Sequence, residues 1–387
     1  MAMPDQMGGV FVASALACLL VGNVAIRGLV SMRWIQPTRY EDCPPLQRYQ
    51  QAKQGTPTMG GIFVLAIGAA VAAVFGGLSQ FSGWVVLGTV GGLGLLGMAD
   101  DLLKLQHPNA RGLRFLPKLV VALALGGLVG WVVAEPHMGY QQLQLPGMAQ
   151  EVTIGWLSIP MAMFVVAGCA HAVNLTDGMD GLAVGCLAIA FLTLGLWTLT
   201  DPAQRIVAIW CLSFAGACVG FLWFNSFPAS VFLGDVGALG LGGALGVLAL
   251  LGHFAMGLFV LGGVFVAEAV SVMLQVASYR WRNKRRIFRV APLHHHFQLG
   301  GMSEHKLVVR FWITGLLLAA LSLTAFSVHP VPQEVPPVRP ALSMKGWDQA
   351  GPVPTRWNGA GRNGGVSRRV VQDATPPMAG WYGVHHG

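Results

Sequence analysis

Charge is scarce in this sequence. Only 10% of its 387 residues are Asp, Glu, Lys or Arg, where an ordinary soluble domain carries roughly 25%. That shortage excludes a conventional water-facing surface. Cysteine chemistry is lacking too. The six cysteines include no CxxC pair; Cys18, Cys169, Cys186, Cys211 and Cys218 fall inside apolar runs, and Cys43 lies in a loop. The thiols therefore read as small reduced hydrophobes rather than as a disulfide or metal set. The opening residues, MAMPDQMGG, contain no basic segment and no convincing cleavage site. The first apolar run thus reads as a retained anchor rather than a signal peptide.

What is abundant is apolar length. Hydrophobic residues make up 54% of the chain and the mean hydropathy is +0.59. Ten apolar runs have about the 20-residue length that crosses a bilayer as helix: 9–32, 60–77, 84–101, 116–134, 156–173, 181–199, 207–225, 236–252, 254–280 and 307–327. The pattern predicts an all-α polytopic membrane protein with about ten transmembrane helices. Composition changes after residue 329. Residues 330–387 are rich in Pro, Gly and scattered Arg without apolar periodicity, which predicts a disordered tail following an integral membrane domain, 1–329.

Basic residues in short loops mark the cytoplasmic side of a membrane protein. Arg27, Arg33, Arg39, Arg48 and Lys53 surround the first loop, and Lys104, Arg111, Arg114 and Lys118 the third. Arg280, Arg282, Lys284, Arg285, Arg286, Arg289, Lys306 and Arg310 crowd the ninth. The loops near 78–83 and 135–155 contain no Lys or Arg. Odd-numbered loops are therefore expected in the cytoplasm. The run RWRNKRRIFR, 280–289, reads as this topological signal plus attraction to anionic lipid, or as a guide for a multiply charged substrate. No nucleic-acid partner is expected.

Against this background the acids stand out. Asp100 and Asp101 lie in GLLGMADDLLK, Asp177 and Asp180 in NLTDGMDGLA, and Asp235 in VFLGDVGALG. All five fall in loops expected on the cytoplasmic side. Singly, each reads as a helix cap or a charged helix end; Asp177, for example, reads as the N-cap of the sixth span. Together, converging carboxylates in otherwise uncharged loops suggest a hard divalent ion such as Mg²⁺, which takes one or two carboxylates plus phosphate oxygens. Asp177 and Asp180 have the i, i+3 spacing that places side chains on one face of a helical turn. Lys104, one turn beyond Asp100, can pair with a carboxylate or touch a phosphate. His294, His295 and His296 are adjacent, a spacing that converges poorly on zinc; they read as a polar site for phosphate or sugar hydroxyls, or as an ordinary interfacial loop. Glu268 lies deep in the ninth span, as an interhelical contact or a cavity lining. Spacing alone leads to metal-dependent phosphoryl chemistry between a soluble anionic donor and a lipid acceptor.

Five stretches carry a resemblance: KQGTPTMGGI (53–62), GMADDLLK (97–104), NLTDGMDGLA (174–183), FLWFNSFPASVFLGDVGALGLGG (221–243) and RVAPLHHHFQLGGMSEHKLVVRFW (289–312). In order and spacing they resemble the phospho-N-acetylmuramoyl-pentapeptide transferases, within the polyprenyl-phosphate N-acetylhexosamine-1-phosphate transferases. The resemblance implies transfer of phospho-MurNAc-pentapeptide from UDP-MurNAc-pentapeptide to undecaprenyl phosphate, with Mg²⁺ and release of UMP, in peptidoglycan biosynthesis. It implies a multi-pass protein of the bacterial cytoplasmic (inner) membrane with its active site facing the cytoplasm. By match to the family's motifs Asp235 is the Mg²⁺ ligand, and Asp100 and Asp101 are the essential acidic pair. Lys53, Asp180, Asn225 and Phe232 match the nucleoside pocket, and Asn174 and Asp177 match polar active-site positions. His294, His295 and His296 match a motif for the sugar-phosphate part of the donor. Thr58, Lys104 and Lys118 complete the expected substrate-binding set. A homodimer is an expectation carried by the resemblance alone.

The chain departs from the family pattern in 33–52, which lacks an Asp-Gly-Pro element and a histidine before Lys53, and at Gln298, where glutamate is common. Two alternatives stand beside this reading: a sister transferase using UDP-N-acetylglucosamine or a similar donor, and an ion-coupled transporter. The transporter is disfavoured by the absence of a clear internal repeat and of deep acids beyond Glu268.

Overall fold

The computed structural model describes residues 3–35, 53–106, 112–135, 142–145 and 151–326. The expected tail, 330–387, lies outside them, as do Cys43, Arg39, Arg48, Arg111 and most of the atypical first loop. The described residues form a helical bundle. Its helices are α1 (Met3–Ser31), α2 (Gly61–Val74), α3 (Phe81–Gln106), α4 (Phe115–Ala134), α5 (Ser158–Thr176) and α6 (Leu182–Thr198). They continue as α7 (Arg205–Asn225), α8 (Gly234–Leu251), α9 (Ala255–Leu261), α10 (Gly263–Trp281), α11 (Leu293–Gln298) and α12 (Glu304–Phe326). Between α4 and α5 a two-stranded antiparallel hairpin pairs β1 (Gln142–Gln144) with β2 (Glu151–Thr153), Leu143 opposite Val152.

Every expected apolar run is helical, but not every helix has the length to cross a bilayer. Seven do so by length and composition, or eight if α9 and α10 count as one bent span. Helices α2 and α6 are shorter, at 14 and 17 residues. The run 254–280, read as one span, breaks at Gly262, where α9 and α10 meet at 77°. This is an all-α, multi-pass membrane architecture.

Burial separates an inner group of helices from an outer ring. In the most apolar stretch of α8, 89% of residues are buried, and in α7 83%, against 22% in α1. A helix apolar all round belongs inside, and α8 is one. The outer helices turn large apolar side chains outward, including Leu20, Val74, Trp281 and Leu317. A patch of that extent belongs against lipid rather than water. The four cysteines Cys18, Cys186, Cys211 and Cys218 are buried free thiols, as expected from their apolar surroundings.

Helix α8 is held by backbone-close seams. A Cβ at Gly97 of α3 would overlap the carbonyl of Asp235, and one at Gly61 of α2 would overlap the backbone of Gly237. Small residues at such positions let helices approach through their backbones. The N-terminal end of α8 is thereby locked against the C-terminal end of α3. The helix directions do the rest: α3, α5, α7 and α10 finish, and α4, α6, α8 and α12 begin, at this end of the bundle.

Candidate active site

Five charged side chains meet where α3 ends and α8 begins. Asp100, Asp101 and Asp235 place carboxylate oxygens within 4.8 Å of one another, the one such cluster of potential metal ligands among the described residues. Lys104, one helical turn after Asp100, has its Nζ 2.6 Å from Asp100 Oδ2 and 2.9 Å from Asp235 Oδ2. Lys118 reaches in from the first turns of α4, 3.3 Å from the same two oxygens. Asp100 is fully buried and Asp101 nearly so.

Backbone groups fix the acids. The Leu113 amide donates to Asp100 Oδ1 at 2.5 Å, so both oxygens of that carboxylate are engaged. The Val236 amide, at the open end of α8, donates to Asp101 Oδ2 at 3.1 Å. The first N–H groups of a helix lack internal partners and favour negative charge, and here Asp101 from another helix supplies it. Gly234 is in the left-handed region, at φ +76°, which glycine adopts without the steric penalty of a side chain. A Cβ there would lie 2.7 Å from Asp101 Oδ2 and 3.1 Å from Thr58 Oγ1. The expected residue Thr58 is thus buried beside the acidic pair.

A second polar cluster lies nearby. Lys53 Nζ is 2.7 Å from Asp180 Oδ1 and 2.5 Å from Glu304 Oε1. Glu304 also accepts from the Asp180 amide at 3.0 Å, and Asp180 Oδ2 accepts from the Ala229 amide at 3.0 Å. Asn225 accepts from the Gly181 amide and donates to the Val231 carbonyl. The loop before α2 is zipped to the segment holding Phe232: Phe232 N donates to Pro57 O at 2.8 Å, and Gly60 N to Phe232 O at 2.9 Å. Lys53, Asp180, Asn225 and Phe232, separate in sequence, therefore line one region. Burial opposes the Lys53 ammonium, but Asp180 and Glu304 outweigh it and raise its pKa above the usual lysine value.

Between the clusters runs the turn 177–181. Asp177 is the C-cap of α5, and Gly181, at φ +75°, precedes α6 without a side-chain cap. Asp177 is therefore not an N-cap of the sixth span, and Asp177 and Asp180 do not share a helical face, because α5 ends at Thr176 and both acids lie in the turn before α6 begins at Leu182. Burial pushes the Asp177 carboxyl up to about 8, with Asp235, Asp101 and Asp180 adding repulsion. Asn174 is half-buried one turn earlier on α5.

The histidines sit on α11 against this turn. A Cβ at Gly178 would collide with His294 Nε2. His294 is buried and held by Glu268, which accepts from its amide at 3.1 Å and lies 3.2 Å from its Nδ1. That resolves Glu268 as an interhelical contact that positions the histidine helix. His295 pairs with Gln298 at 3.1 Å, so the atypical residue at 298 is a buried hydrogen-bond partner. Burial and the neighbouring His294 lower the His295 pKa to about 3. His296 instead accepts from the Arg289 amide and packs edge-on against Phe288. Three successive imidazoles thus face three partners, the geometry expected of consecutive side chains that do not converge on a metal. Gln275 and Ser278 of α10 clamp the basic loop behind them through Ile287, Phe288 and Arg285.

Sequence reasoning missed Glu304, the second anchor of Lys53. Its signal was present: an acid opening an amphipathic helix directly after the histidine motif.

Comparison with known proteins bears on this assembly. The glycosyl transferase family 4 profile matches residues 83–253, and the phospho-N-acetylmuramoyl-pentapeptide-transferase signature 1 matches 53–65. A phospho-N-acetylmuramoyl-pentapeptide-transferase of Thermodesulfovibrio yellowstonii is 43% identical over 294 residues, covering 72% of this chain and 81% of that protein. The chain belongs to the phospho-N-acetylmuramoyl-pentapeptide-transferase family. Other transferases of this name, from Pelobacter propionicus and Pelagibacter ubique, are 39% and 36% identical over 82% of this chain and 92% and 91% of their own lengths. As a transferase of this family, the chain holds Lys53 and Thr58 inside the signature. Asp100, Asp101, Asp177, Asp180 and Asp235 fall inside the broader profile. The histidine helix and Glu304 lie beyond the end of both, yet the structure joins them to the same site.

Proposed function

We propose that this protein transfers phospho-MurNAc-pentapeptide from UDP-MurNAc-pentapeptide to undecaprenyl phosphate, releasing UMP, at the cytoplasmic face of the bacterial inner membrane. The observation that carries the reading is the convergence of Asp100, Asp101 and Asp235 with Lys104 and Lys118 at one end of an apolar bundle. Phosphoryl transfer depends on positioning and on neutralising spread negative charge, and this centre offers both. Ten crossings, with α2 and α6 completing the long helices, put all the site loops on one side. The basic residues of α3, α4, α10 and the loop before α11 gather at that end, which supports a cytoplasmic orientation.

The donor set fits a hard divalent cation, since carboxylate oxygens within a few ångströms of one another suit Mg²⁺. Asp235, with Asp101, would hold it, and Mg²⁺ would supply charge neutralisation on the phosphate oxygens. Asp100 has another role. Its two oxygens are occupied by the Leu113 amide, Lys104 and Lys118, which leaves it poorly placed as a base or nucleophile and well placed to aim the two ammonium groups. That supports direct attack: an oxygen of the lipid phosphate bonds to the sugar-bearing phosphorus, and the bond from that phosphorus to the bridging oxygen breaks. UMP leaves with the bridging oxygen. A phosphate monoester is largely ionised at neutral pH (second pKa about 6), so the attack calls for no strong base. Lys53, Asp180, Asn225 and Phe232 hold the nucleoside, with the histidine helix against the sugar phosphate.

The test is UMP release by detergent-solubilised protein given undecaprenyl phosphate, Mg²⁺ and either UDP-MurNAc-pentapeptide or UDP-N-acetylglucosamine. Release with the muramyl donor alone is expected, and chelation of Mg²⁺ should stop it. Release with UDP-N-acetylglucosamine would move the protein to the sister transferases.

A further inference from the structure

One polar group at the reactive end has no part in the chemistry so far. His171 lies on α5, two turns before the Asp177 cap, and its Nε2 is buried without a hydrogen-bond partner among the described residues. Its ring packs on Phe115, with centroids 5.2 Å apart at 53°. Phe115 is one turn ahead of Lys118 on α4, so the contact places the imidazole on the lysine's side of that helix. The charged groups that act on the ring are Lys118 and Asp235. Asn174, three residues further along α5, extends the same face toward the turn at 177.

A buried nitrogen without a partner costs about 1–3 kcal/mol. Such groups are rare in native structures and call for an explanation. Here the neighbourhood supplies one. The hard cation that the nearby carboxylates suit takes oxygen ligands and makes a poor partner for an imidazole nitrogen. An anion is suitable, because Lys118 attracts it and a neutral imidazole Nε2–H can donate to it. The anion that must visit this place, on the phosphoryl-transfer reading above, is a phosphate.

We propose that His171 is a further substrate-contacting residue, whose Nε2–H donates to an oxygen of the phosphate held by Lys118. The assignment rests on the phosphoryl-transfer reading. Because the imidazole is a neutral donor, it adds a hydrogen bond without changing the charge balance of the three acids and two lysines. Packing on Phe115 fixes the ring plane before the substrate arrives, so little ordering remains to be done on binding.

Two substitutions separate this role from simple packing. His171→Phe keeps an aromatic ring against Phe115 and removes the N–H. His171→Gln keeps an amide N–H at similar reach. For His171→Phe, kcat for UMP release should fall about 10- to 100-fold, the loss of a hydrogen bond to a charged group, while KM for the nucleotide donor stays within about threefold. Its melting temperature should equal or exceed that of the wild type, because an unsatisfied nitrogen has been removed. His171→Gln should recover most of the lost turnover. Wild-type turnover by His171→Phe would overturn the assignment. So would a fall in both turnover and melting temperature in His171→Phe without recovery in His171→Gln, the signature of a packing role. A wild-type protein that releases UMP from neither donor would overturn the transferase reading beneath it, a distinguishable failure.

Discussion

The two polar clusters of this site are built from the same residue types and behave oppositely. Around Asp235, three carboxylates share two lysines, so negative charge is in excess and the side chains mostly face one another. Around Lys53, two carboxylates share one lysine; the Ala229 amide takes the second oxygen of Asp180, and the Asp180 amide donates to the same Glu304 oxygen that Lys53 meets. On the function proposed above, the first is the centre that would take a cation and a phosphate. The second is a latch that ties the loop before α2 to the turn at 180 and to the start of α12. Neither the excess of negative charge nor the number of backbone donors distinguishes them, since two amides serve each; what distinguishes them is that three carboxylates bring oxygens within 4.8 Å of one another in the first, whereas two meet one lysine in the second.

That contrast can be broken at either end. The largest effect is expected from Asp235→Asn, which removes a charge from the acidic centre. UMP release should fall by about 10³-fold, in the range seen when one electrostatic stabiliser of a transition state is lost, while the melting temperature falls only modestly, because Asp100 and Asp101 remain beside Lys104 and Lys118. A melting temperature well below wild type would make the centre structural rather than reactive. Next comes Lys53→Met in the latch. It strands two buried carboxylates, a loss of about 3–5 kcal/mol for a broken buried pair, and should appear as a large drop in melting temperature that Glu304→Gln partly restores. Unchanged melting would show that the latch does not hold.

The smallest effect concerns Asp177, which lies between the two. Its carboxyl is raised to about 8 by burial and by Asp235, Asp101 and Asp180, above an unfolded value of about 4. The folded chain therefore keeps a proton that the unfolded chain releases, so this group's stabilisation is full below pH 4 and declines as pH rises toward 8. Asp177→Asn removes the decline. In chelator, the variant's stability advantage should grow from pH 5 to pH 8, by at most about 1.4 kcal/mol per pH unit, and shrink when Mg²⁺ is added. A constant difference across pH would mean that neither burial nor the other acids hold a proton on Asp177 in the folded chain.

Much of this architecture is legible in the residues themselves. Charge in apolar sequence is conspicuous, so Asp100, Asp101, Asp177, Asp180 and Asp235 can be found by their scarcity, and apolar length marks each helix. What stays hidden is pairing. Lys53 meets Asp180 and Glu304 across 127 and 251 residues, and no local rule joins positions that far apart. Glu268 is ambiguous in sequence for the same reason: only the placement of the His294 amide shows what its carboxylate accepts. The break at Gly262 is masked because hydropathy continues unchanged through a bend, with the Gly262–Gly263 pair as its faint trace. His171 stands in plain view beside Asn174, but a lone histidine in an apolar helix carries no signal until its unmet nitrogen is placed.

The seams that hold α8 against α2 and α3 also bear on how this protein can change. Gly97 and Gly61 meet backbone, not flexible side chains. No larger residue enters at either position without pushing the helices apart and dispersing the acids. An inhibitor resting on that seam would therefore face a surface from which resistance has few routes, since the mutations that would crowd it out are the ones that dismantle the enzyme's own centre.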